Sequence, residues 1–148
     1  MDYKDFKTEI WSIMYTIKCS MRKIFEPLVQ STGLTIIQSF ILFAIAESNI
    51  TTISGVCKEL GLNQGNVSTM CKNMEKEGII TRKRDNTDER IVRISLTEQG
   101  EEAVSQLKGA FSMFDSVLLN VPAEKLKVII AGMHELNDVV KMLSEHIK

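Results

Sequence analysis

Apolar residues at Phe6, Ile10, Ile13, Ile17, Met21, Ile24 and Leu28 recur every three or four positions, which predicts an amphipathic helix ending between Pro27 and Gly33. Such a helix is longer than a small core needs. Thr35 is suited to cap a second helix through IIQSFILFAIAES, and because that segment is apolar nearly all round it should lie at the centre of the fold. A short third helix follows from Ile53 to Leu60, with Val56 and Leu60 facing inward. Gly61 ends it, since glycine enters the left-handed region after a helix at little cost. Asn63 caps a fourth helix reaching Glu77, about 20 Å long. Helical spacing puts Val67, Met70, Cys71 and Met74 on its inner stripe and Gly65, Ser68, Thr69, Lys72 and Lys76 roughly opposite.

The pattern then changes to strands. Ile79 to Arg84 and Ile91 to Leu96 are β-prone runs joined by the polar connection Asp85 to Arg90, a hairpin whose tip is too polar to be core. Thr97 caps the next helix, Glu98, Glu101 and Glu102 load its positive end, and Val104, Leu107, Phe111, Phe114 and Leu118 form its apolar stripe. Pro122 suits the first turn of the last helix. There Leu126, Ile129, Met133, Leu136, Val140, Leu143 and Ile147 keep a seven-residue repeat, a stripe that needs a partner along its whole length. The predicted architecture is mainly α with a small β-hairpin, one domain over 1–148. Residues 1–32 and 101–148 supply dimerisation helices, and 33–100 form a lobe of helix, turn, helix and hairpin. A homodimer is expected.

Composition narrows the picture. With 148 residues, 44% hydrophobic, and two prolines, the chain has room for one compact domain and little for a linker or disordered tail. A net charge of −1 and a pI near 6.1 argue against a nonspecific nucleic-acid coater. Distribution matters more: between Asn49 and Leu96 eight Lys/Arg face six Asp/Glu, so the middle is basic and the flanks acidic. The start MDYKDFKTEIW reads as neither signal nor transit peptide, and no apolar run approaches the roughly 20 residues that span a bilayer. A cytoplasmic protein without membrane contact is expected. Cys19, Cys57 and Cys71 form no CxxC pair, so neither a disulfide framework nor a zinc ribbon is indicated. No phosphate loop, HExxH or GxSxG is present, which argues against an enzyme, and no cofactor is implied.

The polar face of the fourth helix and the hairpin carry the chemistry. A polar helical face is ordinarily no more than a solvated one. Here Gln64 and Asn66 project from the first turn, where their amides can bond adenine edges, while Ser68 and Thr69 can reach base edges or the thymine methyl. Gly65 lets the backbone come close, and Lys72 and Lys76 suit phosphates, which set affinity more than sequence. Arg82, Lys83, Arg84, Arg90 and Arg93 then concentrate cations on the hairpin. Asp88, two residues from Arg90, is placed to brace the tip and aim the Arg90 guanidinium into a minor groove. A helix in the major groove of double-stranded DNA beside a basic ribbon at the minor groove is the reading these residues support.

At this point the chain resembles the MarR family of winged helix-turn-helix regulators. The resemblance runs from GLTIIQSFIL through CKELGLNQGNVSTMCKNMEKEGII to RKRDNTDERIVRISLTEQG, about two-thirds of the chain. Its sharpest parts are the wing RDNTDER, with Asp88 and Arg90, and the Leu-Thr-x-x-Gly at Leu96 to Gly100. The resemblance implies a homodimeric transcription factor, usually a repressor on a near-palindromic site, and small molecules or oxidants acting near the junction of the dimer helices and the DNA-binding lobe. Matched by position, Gln64, Gly65, Asn66, Ser68 and Thr69 fall in the reading helix and Arg90 in the wing. Two departures stand out: Thr69 occupies a place where many members carry a cation, and Glu89 adds negative charge inside the wing.

Cys19 is a candidate redox sensor, with Lys18, Arg22 and Lys23 beside it and Tyr15 one turn earlier, since nearby cations favour the thiolate. Peroxide-sensing members of the family use a cysteine in this first helix. The simpler reading is a half-buried structural thiol, and Cys57 and Cys71 read as small core residues. His134 and Asp138, one turn apart, make a surface pair rather than a metal site. The methionines Met14, Met21, Met113 and Met133 either fill an ordinary core or line an adaptable pocket for a small-molecule effector. The main rival function is a dimeric winged-helix module that binds protein and not DNA, supported by Glu75, Glu77, Asp85, Asp88 and Glu89 near the reading surface.

Overall fold

The computed structural model describes residues 2–146, apart from the side chain of Tyr3; Ile147, the last position of the expected heptad stripe, lies outside them. The elements are α1 (Tyr3–Gln30), α2 (Ile36–Glu47), α3 (Ile53–Leu60), α4 (Gln64–Lys76), β1 (Ile80–Arg84), β2 (Val92–Leu96), α5 (Glu98–Phe111), α6 (Asp115–Leu118) and α7 (Ala123–Glu145). Two compact units divide between Ala110 and Phe111.

The first unit holds the core. Ile41 and Leu42 of α2, Val56 of α3, Val67, Cys71 and Met74 of α4, Ile80 of β1 and Leu107 of α5 are fully buried together. The caps follow from residue type. Thr35 accepts from the Gln38 N–H at 3.3 Å while the Gln38 amide oxygen accepts from the Thr35 N–H at 2.8 Å, a complete capping box. Thr52 caps α3 by accepting from the Gly55 N–H at 3.1 Å, and Gly61 closes that helix at φ 63°. The strands pair antiparallel with Ile80 opposite Leu96 and Arg84 opposite Val92. Just before α3, the Ile94 N–H donates to the Thr51 carbonyl at 2.9 Å and Thr52 bridges Arg93, which ties β2 to the cap of α3.

Three expectations meet a different outcome. The α2 helix is central on only one side: Ile37 and Phe40 stay 40% and 47% exposed. The helix opened by Thr97 stops at Phe111, and Ser112–Phe114 tighten into a 3-10 turn before α6, so Phe114 and Leu118 do not continue the stripe of Val104 and Leu107. Asp138 pairs with Lys141 at 3.5 Å, three residues on along the same helix, rather than with His134.

In the second unit, Pro122 stands at the cap position of α7, one residue before the helix. No residue of α7 is buried, and Ile129, Met133 and Leu143 are each about half exposed. Among the described residues of α1 only Val29 is buried, while Phe6, Ile13, Ile17, Met21 and Ile24 of the apolar stripe remain exposed. No helix among the described residues is long and apolar enough to cross a membrane.

Candidate nucleic-acid interface

Helix α4 begins where its sequence demands. Asn63 sits extended and its side-chain oxygen accepts from the Gly65 N–H at 2.8 Å, so the first turn is capped without a bulky residue. Val67, Cys71 and Met74 anchor the helix inward, with Met70 half-buried. Gln64, Gly65, Asn66, Thr69, Lys72 and Lys76 are exposed and Ser68 half-buried. The Thr69 hydroxyl donates back to the Gly65 carbonyl at 3.0 Å, which fixes its rotamer and leaves its oxygen able to accept.

Burial in the apolar interior pushes the Cys71 thiol up to about 11 against a smaller opposing pull from Arg82. The neutral thiol therefore dominates throughout the physiological range. Alkylation of Cys71 by iodoacetamide at pH 8 is expected to run more than about a hundredfold slower than that of a free cysteine, read by mass spectrometry of the folded protein.

The hairpin presents its cations unequally. Arg82 points back to α4, where its guanidinium pairs with Glu75 at 3.2 Å and its side chain is only 15% exposed. Arg82 thereby braces β1 against α4, because on an alternating strand it shares the inward face with Ile80. Arg82→Ala is expected to lower stability by about 1 kcal/mol in urea unfolding. Its effect on the salt slope of duplex binding should be nil, where a phosphate contact would remove about one charge from that slope. Arg84 is largely exposed and held loosely by Glu89 at 3.8 Å. Lys72, Glu75, Arg82, Lys83, Arg84 and Val92 line a crevice of about 310 Å³ between α4 and the hairpin.

At the tip, Asp88 braces the loop differently from the expectation. Its carboxylate accepts from the backbone N–H of Arg90 at 3.0 Å, and the Arg90 guanidinium has no ion-pair partner among the described residues. Beside the loose Arg84–Glu89 pair, the guanidinium that meets a wing carboxylate closely is that of Arg93, on Asp85. Asp85, expected to be exposed like the rest of the connection, is buried; its oxygens also accept from the Thr87 N–H at 2.9 Å, the Thr87 hydroxyl at 2.5 Å and the Asp88 N–H at 3.3 Å. The spacing Asp-x-Thr is the signal that could have shown it, since an aspartate commonly bonds the backbone two residues on.

The Thr87 hydroxyl and amide, then Arg93, hold the Asp85 carboxyl well below the usual carboxylate range. A lowered folded-state value stabilises the wing fully above the ordinary carboxylate pKa of about 3.9, and that contribution is lost as pH falls from there through the folded value. Protection of the Thr87 amide from hydrogen exchange, corrected for the intrinsic rate, is therefore expected to be flat from pH 8 to 5.

This arrangement, a buried helix-turn-helix with an exposed polar second helix and a hairpin wing, defines a winged-helix transcriptional regulator. The family model of the transcriptional regulators SarA and Rot matches residues 23–107. The organic hydroperoxide resistance transcriptional regulator of Bacillus subtilis is 34% identical over 99 residues, 67% of each chain. The chain belongs to the SarA/Rot family of transcriptional regulators. Its fold is that of the MarR regulators: Staphylococcus aureus MarR in complex with salicylate and kanamycin superposes with a TM-score of 0.79 at 17% identity, covering 95% of both chains. The S. aureus MepR–DNA complex gives a TM-score of 0.75 at 20% identity, covering 87% of this chain and 96% of that one.

Proposed function

We propose that the chain is a sequence-specific repressor that binds a near-palindromic duplex as a homodimer, with α4 in the major groove and the wing at the minor groove. The observation that carries this reading is the pairing within one unit of a polar reading face, exposed at Gln64, Gly65, Asn66 and Thr69 and half-buried at Ser68, with the Arg90 guanidinium at the wing tip, which has no ion-pair partner among the described residues. Lys72, Lys76 and Arg84 supply phosphate contacts around it, and Asp88 shapes the loop that carries Arg90. Dimerisation is supported by the uncovered apolar stripes of α1 and of α7, which a soluble chain does not leave in water. The relative seen in complex with DNA supports the partner.

The acidic residues that favoured a protein-interaction module weigh less once their partners are known. Glu75 is neutralised by Arg82 and Asp85 by Arg93. Release by a small ligand is supported by a hollow of about 580 Å³ lined by Glu26, Val29, Gln30, Leu34, Thr35, Ile36 and Ile37, a volume that suits a small organic molecule. An oxidant acting at half-buried Cys19 is the other trigger this reading allows.

Selection of duplexes from a random pool at near-physiological salt tests the whole reading. Enrichment of a palindrome with half-sites about one helical turn apart is the expected result. A pool that emerges unenriched from reduced, ligand-free protein overturns it in favour of the interaction module.

A further inference from the structure

Within the loop from residue 85 to residue 91, Asp85 is the one buried side chain; the others are exposed. A carboxylate is withdrawn from water only where donors replace the water, and four do so here: the Thr87 N–H, the Thr87 hydroxyl, the Asp88 N–H and the Arg93 guanidinium. The strand register explains why Arg93 is available. Lys83 lies directly opposite Arg93, a repulsive pair, and Asp85 is the diagonal neighbour that draws Arg93 away from it.

Restraint passes onward from this point in both directions. Toward the tip, Asp88 is fixed by Asp85 and in turn holds the Arg90 N–H at 3.0 Å, while the Ile91 N–H closes on the Asp88 carbonyl at 2.9 Å. Toward the body, the backbone of Arg93 bridges Thr52, the cap of α3. The wing tip is thus referenced, through one carboxylate, to the helix pair that carries the reading face.

We propose that Asp85 is a positioning residue for DNA binding, holding the wing so that Arg90 meets the duplex, and that it acts through Arg90. This rests on the DNA-binding reading above. The sign of the effect distinguishes it from simple electrostatics: removing a negative charge from a surface that faces phosphates should tighten binding, whereas losing a positioning group weakens it.

The test uses the full-length protein and the duplex selected by the wild type. Asp85→Ala is expected to weaken binding at least fivefold despite the gain in net positive charge, with amide exchange at Thr87 and Asp88 accelerated and α4 amides unchanged. Asp85→Asn keeps an acceptor for Thr87 and is expected to fall between the two; it is read in the same way if the alanine variant does not fold. In an Arg90→Ala background, Asp85→Ala is expected to add nothing. Binding by Asp85→Ala as tight as wild type or tighter overturns the proposal, and so does a full additional loss in the Arg90→Ala background. A wild-type protein that retains no duplex overturns the DNA-binding reading itself, an outcome separate from these.

Discussion

Arg90→Ala is expected to weaken binding of the selected duplex by about tenfold, about 1.4 kcal/mol, and to reduce the salt slope by about one charge. The guanidinium stands at the tip of a loop whose backbone is already ordered by Asp85 and Asp88, and it has no ion-pair partner among the described residues. No internal ion pair is therefore broken when it engages DNA. Loss of the side chain should leave the fold intact and act on all sequences with a narrow minor groove. Gln64→Ala should behave oppositely. Standing in the first turn of α4, Gln64 is expected to lose about 1 to 3 kcal/mol of discrimination at one base pair while leaving the salt slope alone. Titrations of both variants against matched and single-mismatch duplexes at several salt concentrations check the pair; identical affinities for all three proteins refute the assignment.

Gly100→Ala is expected to destabilise the first unit by about 3 kcal/mol or more, with a lower urea midpoint. A Cβ at residue 100 would overlap the carbonyl oxygen of Ile79, far inside van der Waals contact, and lie 3.2 Å from its carbon. That carbonyl is held in place by the Thr97 N–H at 3.1 Å, and the Thr97 hydroxyl shares its one proton between it, at 3.0 Å, and the neighbouring Gly78 carbonyl, at 2.6 Å. The same Thr97 hydroxyl caps α5 by accepting from the Gly100 N–H at 3.1 Å. Any shift that relieves the clash therefore breaks the junction where β1, β2 and α5 meet. The Leu-Thr-x-x-Gly run at Leu96 to Gly100 thus has a physical reading: the threonine ties the start of β1 to the start of α5, and only glycine lets the two backbones approach so closely. A urea midpoint unchanged from wild type would show that the junction yields.

The reading face and the wing differ in how far residue type alone places them. In α4 the apolar residues Val67, Cys71 and Met74 sort one face inward, so the opposite face, from Gln64 to Lys76, is determined by the 3.6-residue repeat. Asn63 and Gly61 mark the helix ends through their own backbone preferences. Strand alternation turns Arg82 to the same face as Ile80, but alternation tells only that a side chain points inward and not what it meets there. Its partner Glu75 is seven residues away on another element.

The order of helices, the turn, the hairpin and the polar face of α4 were determined by the sequence itself, because periodicity and capping are local and each repeats within a few residues. The tertiary structure alone decided which guanidinium meets the Asp85 carboxylate and where the α5 stripe ends. Asp85 and Asp88 have the same ionisable group and both lie in a polar connection; the Asp-x-Thr spacing marks Asp85 as a local acceptor, and the cross-strand register, with Lys83 opposite Arg93, brings the Arg93 guanidinium to it. Likewise Val104 and Leu107 of α5 are buried, while Leu118 follows the 3-10 turn and stays exposed. Electrostatic and packing choices of this kind depend on groups brought together from distant parts of the chain, and no spacing along the sequence records that proximity.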